Sequence, residues 1–202
     1  MILLAIETSV PHASLCLADD DRILYSATWE AERNHDAHLF PALQQALQQL
    51  PDGLTPDYVL VGAGPGSYGG VRVALAAGVG IATVTGAKLV AVESWAQLAG
   101  DGVCIVADAR RGGWTVRQPD GRIEVLSTAE LEAAGLPLYT VEAPGIVPGA
   151  LKSGLNPDAE GLIRTWQGMT PEQQAAASAR PAEPIYVRPP HITKATRKPW
   201  EI

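Results

Sequence analysis

Apolar residues run unbroken from Met1 to Ile6, the pattern of a strand buried on both faces. The run breaks at Glu7-Thr8-Ser9-Val10-Pro11, and weak alternation from His12 to Ala18 predicts a second strand. Asp19-Asp20-Asp21 suits a tight turn, because Asp tolerates turn geometry. Arg22 to Trp29 then reads as a third strand, so the chain opens on a strand followed by a hairpin-linked pair. The period changes next. Leu39, Leu43, Ala46, Leu47 and Leu50 recur at helical spacing, with Gln on the opposite face. Asn34 or Asp36 supplies a cap, Pro41 is expected in the first turn, and Pro51-Asp52-Gly53 stops the helix. Tyr58 to Val61 predicts a buried strand, Gly62 to Gly70 a glycine loop, and Val71 to Thr85 a second helix closed by Gly86. A strand over Lys88 to Val92 follows, then a short helix through Leu98 capped by Ser94.

Gly100-Asp101-Gly102 marks a boundary, dividing the chain into residues 1–100, with the two helices, and a smaller second lobe with a tail over 101–202. The second part predicts strands over Val103 to Ala107, Trp114 to Gln118 and Arg122 to Leu126, with a turn at Arg110-Arg111-Gly112-Gly113. Short helices fill 127–182, one of them Pro171 to Ser178, and Glu183 to Val187 is strand-like. No internal repeat or low-complexity tract is visible. The class is α/β. A hairpin on a parallel core, then helix, strand, helix, strand, is similar to the ribonuclease-H-like lobe of actin-like (ASKHA) ATPases; that order implies a two-lobe fold with a reduced second lobe.

Composition narrows the possibilities. The 202 residues are 47% hydrophobic and 18% charged, ordinary globular values. A net charge of −7 opposes nucleic-acid binding except where a basic patch overrides it. The one basic concentration is the tail, with Arg188, Lys194, Arg197 and Lys198. Cys16 and Cys104 lie in apolar runs and read as buried free thiols. No charged segment precedes an apolar leader, and the apolar stretch around 73–84 is too short to span a membrane, so a cytoplasmic location is expected.

The glycine loop is the first candidate for chemistry. Glycines between a strand and a helix N-terminus let a backbone approach a phosphate, and the helix dipole favours an anion. No Lys follows, which excludes a Walker A loop. Gly64, Gly66 and Gly69 fit the dinucleotide spacing, with Glu93 as a late acidic partner. The alternative is a tight turn that lets the helix pack closely on the sheet. His35 and His38 are three apart and Asp108 is a conceivable third ligand, but a structural histidine at a helix start is the expectation. No Ser/His/Asp or Cys/His spacing supports a nucleophile. Beyond Arg72 the second helix carries no charge, and a helix apolar all round must be covered on every side. Ala74, Ala77, Gly78 and Ile81 offer close approach, and Leu39, Leu43, Leu47 and Leu50 a second stripe. The cover is either two helices of a partner, closing a four-helix bundle, or the chain's own second lobe.

Five segments carry a resemblance. Gly62-Ala63-Gly64-Pro65-Gly66-Ser67-Tyr68-Gly69-Gly70-Val71-Arg72 resembles the G-x-G-P-G-S-F-T-G-x-R signature of the TsaB (YeaZ) family, with Tyr for Phe and Gly for Thr. Leu4-Ala5-Ile6-Glu7-Thr8-Ser9 is similar to its A-I-D-T-S/T opening, with Glu for Asp. Arg33-Asn34-His35 through Leu39 to Pro41, Val106-Ala107-Asp108-Ala109-Arg110 and Glu183-Pro184-Ile185-Tyr186-Val187-Arg188 resemble its helix start, its I-D-A-R turn and its E-P-x-Y-x-R ending. The resemblance implies a non-catalytic subunit of tRNA threonylcarbamoyladenosine (t6A37) synthesis that binds the transferase TsaD, with the ATPase TsaE joining. It implies no catalytic or metal-binding residues and a vestigial nucleotide site at Thr8, Ser9, Gly64, Gly66 and Ser67. It implies a partner face at His35, Leu39, Leu43, Leu47, Arg72, Ala74, Ala77, Gly78 and Ile81. The free chain is expected to self-dimerise through the same bundle and to have no cofactor of its own. ATP and magnesium belong to the TsaD/TsaE complex, and tRNA is met only through it. The rival is an actin-like-fold ATPase or small-molecule kinase with its own nucleotide site; a metallopeptidase is weaker, for want of H-x(3)-H.

Overall fold

The computed structural model describes residues 1–30, 36–100, 102–109 and 112–187. Strands β1 (Ile2–Glu7), β2 (His12–Asp19), β3 (Arg22–Glu30), β4 (Tyr58–Gly62) and β5 (Lys88–Val92) form one sheet in the order β3-β2-β1-β4-β5. The hairpin strands are antiparallel and β1, β4 and β5 are parallel. Asp20 makes the β2–β3 turn with φ 48°, a left-handed conformation its short polar side chain accommodates.

Side-chain alternation explains why this sheet is apolar throughout. Leu4, Ile6, Leu15, Leu17, Val59 and Val61 face one core. Leu3, Ala5, Cys16, Ala18 and Leu60 face another. The first face is covered by α1 (Asp36–Leu47) and α2 (Tyr68–Thr85). The second is covered by α4 (Ala159–Gln167) and α5 (Pro171–Ser178), with Trp166 buried against Tyr58. Residues after 101 therefore form the second sheet and also cover one face of the first.

The second sheet contains β6 (Cys104–Asp108), β7 (Gly113–Arg117), β8 (Ile123–Ser127) and β9 (Leu138–Thr140) in the order β8-β7-β6-β9. The helix α3 (Thr128–Ala134) lies between β8 and β9 in the chain. β6, β7 and β8 are antiparallel neighbours, and β9 runs parallel to β6. The path is that of β1, β2, β3, α1 and β4. The repeat absent from the sequence is thus present in the topology, because strand order depends on apolar alternation and turn placement, which unrelated residues satisfy equally.

Several elements differ from expectation. α2 begins at Tyr68 instead of Val71, because the Ser67 hydroxyl caps it by accepting the Gly70 N–H at 3.3 Å, which offsets the poor helix propensity of Gly69 and Gly70. At 18 residues it is now long and apolar enough, by length and composition alone, to cross a membrane; here it packs on β4, β5 and β1. Pro41 falls inside α1, beyond the first turn, where its missing N–H forgoes one helical bond. Ser94 caps no helix: the turn Ala96–Leu98 is 3-10 and starts after Trp95 without a side-chain cap. Glu183–Val187 is no strand; it lies as an irregular strap held by the Ile185 N–H donating to the Ala63 carbonyl at 2.8 Å. The α2 C-cap at Gly86, with φ 77°, and the span of α5 match the sequence reading.

Candidate functional site

Two surfaces concentrate the predicted residues: the glycine loop at the cleft between the sheets, and the groove between α1 and α2. The loop is stitched to the end of β1. The Thr8 hydroxyl donates to the Gly70 carbonyl at 2.7 Å, and the Ser67 N–H donates to the Ser9 carbonyl at 2.7 Å. The Ser94 hydroxyl accepts the Gly64 N–H at 3.1 Å and receives the Ser9 hydroxyl at 3.2 Å. A Cβ on Gly66 would overlap the Ser9 carbonyl, and one on Gly70 the Thr8 carbonyl. Glycines stand here because two backbones touch.

That stitching bears on the predicted nucleotide residues. Thr8 and Ser9 are buried and their hydroxyls are engaged within the protein. The amides of Gly64, Ser67 and Gly70 all donate internally. Of the predicted set, Gly66 and Ser67 are exposed at the cleft, and the nearly buried Ser9 lines its smaller cavity. Glu7 does not reach it. Its carboxylate is buried over Gly62, one oxygen accepting the Ser9 N–H at 2.7 Å and the other without a hydrogen-bond partner. The Gly64, Ser67 and Gly70 amides and the Glu7 carboxylate are thus turned away from a magnesium-bound phosphate, which needs free amides and an exposed acid.

Burial holds the Glu7 carboxyl above the usual carboxylate range, against the opposing effect of the neighbouring Ser9 and Ser94. A carboxyl raised in the folded state stabilises fully below its unfolded pKa and loses that contribution as pH rises through the folded value. Wild-type stability is therefore expected to fall as pH rises from the ordinary carboxylate range through the higher folded value, by about 1.4 kcal/mol for each pH unit separating the two. Glu7→Gln should flatten that slope. Urea unfolding across this range checks it; parallel slopes for the two proteins would refute it.

The cleft itself is formed by adjoining cavities of about 530 and 320 Å³ that share Pro65, Gly66, Ser67, Asp108 and Thr115. Asp108 donates its backbone N–H to Glu142 at 3.1 Å. Arg110 lies outside the described residues. The strap lays Tyr186 on Tyr68, ring centroids 4.9 Å apart, and Arg72 stacks 5.3 Å from the Tyr68 ring on the other contact. Arg72 itself is exposed, and its guanidinium also reaches the Tyr68 hydroxyl at 3.4 Å.

The groove between α1 and α2 has a volume of about 730 Å³ and is almost wholly apolar. Of the predicted partner residues, Leu39, Leu47, Ala77 and Ile81 line it. Leu43 packs into the core beneath. Ala74 and Gly78 are corrections: both are buried on the sheet side, and a Cβ on Gly78 would press on Val61 and Leu89. Phe40, Val73, Ala76, Gly80, Val84 and Thr85 line the groove without having been anticipated. An evenly apolar helix has no hydrophobic phase from which to choose its outer face; only the glycine that must meet the sheet sets it. Among the described residues, none that lines the groove comes from the second sheet. His35 lies outside the described residues, as does the basic tail at Arg188, Lys194, Arg197 and Lys198. His38 is exposed, and among the described residues no group of three or more His, Cys, Asp or Glu could hold a metal. Burial pushes the Cys16 thiol up to about 12 and raises that of Cys104, which quiets both as nucleophiles.

These features define a class: a two-sheet α/β protein with a glycine loop packed against its own first strand and an apolar helix pair that no other described residue covers. Comparison with known proteins supplies the family. Residues 29–143 match the family model described as TsaD, tRNA N6-adenosine threonylcarbamoyltransferase. The tRNA threonylcarbamoyladenosine biosynthesis protein TsaB of Bacillus subtilis (strain 168) is 30% identical over 121 residues, 55% of this chain and 52% of that protein. The chain thus matches about half the length of that curated relative. Two solved structures from Pseudomonas aeruginosa are similar over most of the chain. One, an uncharacterized protein with similarity to peptidase YEAZ, has 26% identity and a TM-score of 0.68, covering 93% of this chain and 99% of that one. The other, YeaZ, has 25% identity and a TM-score of 0.64, covering 92% and 99%. The chain belongs to the TsaB (YeaZ) family.

Proposed function

We propose that this chain is a non-catalytic scaffold subunit of tRNA threonylcarbamoyladenosine synthesis, acting in the cytoplasm by binding TsaD. The observation that carries the reading is the groove. Phe40 is 57% exposed and Val84 86% exposed beside a wide apolar channel, an arrangement that costs solvation unless something covers it. Two helices of similar character would complete a four-helix bundle. TsaD is the occupant in the working complex, and a second copy of this chain in its absence. The actin-like two-lobe fold is the reading that the duplicated topology supports. TsaE joins the assembled pair, ATP and magnesium are used there, and tRNA is met only through the complex. The internally bonded glycine loop and buried Glu7 support a chain with no nucleotide chemistry of its own.

The test is a calorimetric titration with magnesium and ATP, first of the lone chain and then of its mixture with TsaD. The lone chain is expected to show neither binding nor turnover, and the mixture to form a stable complex. Micromolar binding with hydrolysis by the lone chain would overturn the scaffold reading in favour of an ATPase or small-molecule kinase.

A further inference from the structure

The two sheets meet over a small junction, and small junctions permit relative movement. Trp95, from the segment that leaves β5, packs on Ile105 and Ala107 of β6. This contact is apolar and therefore non-directional: it holds the sheets together without fixing the angle between them. A directional contact lies two residues earlier. Glu93 accepts the Nε–H of Arg117, which projects from β7, and the two side chains retain only 21% and 11% exposure. A charge-assisted bond sheltered to this degree has defined geometry and is weakly screened. Glu93 also precedes Ser94, whose hydroxyl holds Gly64 and Ser9. One short segment thus carries the apolar pivot, the ion pair to the second sheet, and the tie to the glycine loop.

We infer that Glu93 and Arg117 form a latch that sets the opening of the cleft, with Trp95 as its pivot. Releasing the latch lets the second sheet turn away, widening the gap between Gly66 and Ser67 on one wall and Asp108 and Thr115 on the other. The inference stands on the junction alone and is independent of what occupies the groove between α1 and α2.

The test uses the full chain with Glu93→Gln, Arg117→Met and the double variant. The first is isosteric, and the second keeps the apolar stem, so both retain packing. Hydrogen exchange is followed at residues 64–70 and 106–116, with the β1 and β4 amides as an internal reference, alongside small-angle scattering. Each single variant is expected to exchange about tenfold faster at the cleft walls, to leave the β1 and β4 amides unchanged, and to increase the radius of gyration. The double variant should exchange no faster than the singles, since the pair can be broken only once. Unchanged cleft exchange in both singles, additive effects in the double, or acceleration spread evenly over β1 and β4 would each overturn the latch.

Discussion

Replacing Gly70 with alanine is expected to destabilise the protein by roughly 3–5 kcal/mol, enough to leave much of the chain unfolded at 37 °C. The new methyl would overlap the Thr8 carbonyl, and neither side has room to retreat. Thr8 is held because β1 lies between β2 and β4 and because its hydroxyl bonds the Gly70 carbonyl at 2.7 Å. Gly70 is held because the Ser67 cap takes its N–H and α2 lies on the sheet. The neighbouring position gives the opposite sign. A Cβ on Gly69 meets nothing within 4 Å, and its φ is not positive, so Gly69→Ala should stabilise by about 0.5–1 kcal/mol through helix propensity. Thermal and urea unfolding of the two variants decide the matter. Equal effects at 69 and 70 would mean that helix propensity, and not the contact with β1, governs this loop. Gly69 is also where the family signature carries Thr, and the open space there shows that a hydroxyl-bearing side chain would be accommodated.

Gly80→Arg is expected to abolish association through the groove while leaving the monomer intact or slightly more stable. Gly80 lines the channel, and a Cβ there meets nothing within 4 Å, so a side chain can be added without disturbing the fold. Removing a glycine from the helix interior favours α2 by about 0.5–1 kcal/mol. A guanidinium trapped in an apolar four-helix seam without a partner would weaken binding at least 100-fold, about 2.7 kcal/mol. Light scattering measures self-association, and calorimetry measures binding to TsaD. A Gly80→Arg protein that melts no lower than wild type yet still binds TsaD at wild-type affinity would remove the groove as the docking surface. This substitution is more discriminating than one at Ala74 or Gly78, where added bulk would strike the sheet and damage the fold instead of the interface.

The sequence reading located most of the first sheet because β1, β2 and β4 announce themselves by short-range patterns: apolar runs bounded by Pro, Gly and Asp. It placed Gly86 and Pro171 at their helix ends for the same reason, since capping depends on backbone geometry within one turn. It misjudged Ser94, which looked like a cap and instead bridges Gly64 and Ser9, partners 30 and 85 residues distant in the chain. Nothing local distinguishes a capping serine from a bridging one. The same distance hid the role of Glu93. Considered as a late ribose ligand, it pairs with Arg117 on the other sheet.

The chain's own residues determined the family, the α/β class and the existence of an uncharged helix in need of cover. These follow from residue identity and order, which survive without coordinates. Tertiary structure alone decided which side of that helix is covered. Ala74 and Gly78 meet β4 and β5, and Ala77, Gly80 and Val84 are left outside, because 3.6 residues per turn combined with the close approach at Gly78 leaves one rotation about the axis. It also decided the meaning of the glycine loop. Glycines permit close approach of any backbone, a phosphate's binding loop or a neighbouring strand. Only the fold brings Thr8 and Ser9 against Gly66 and Gly70, and so packs the loop on the end of the first strand.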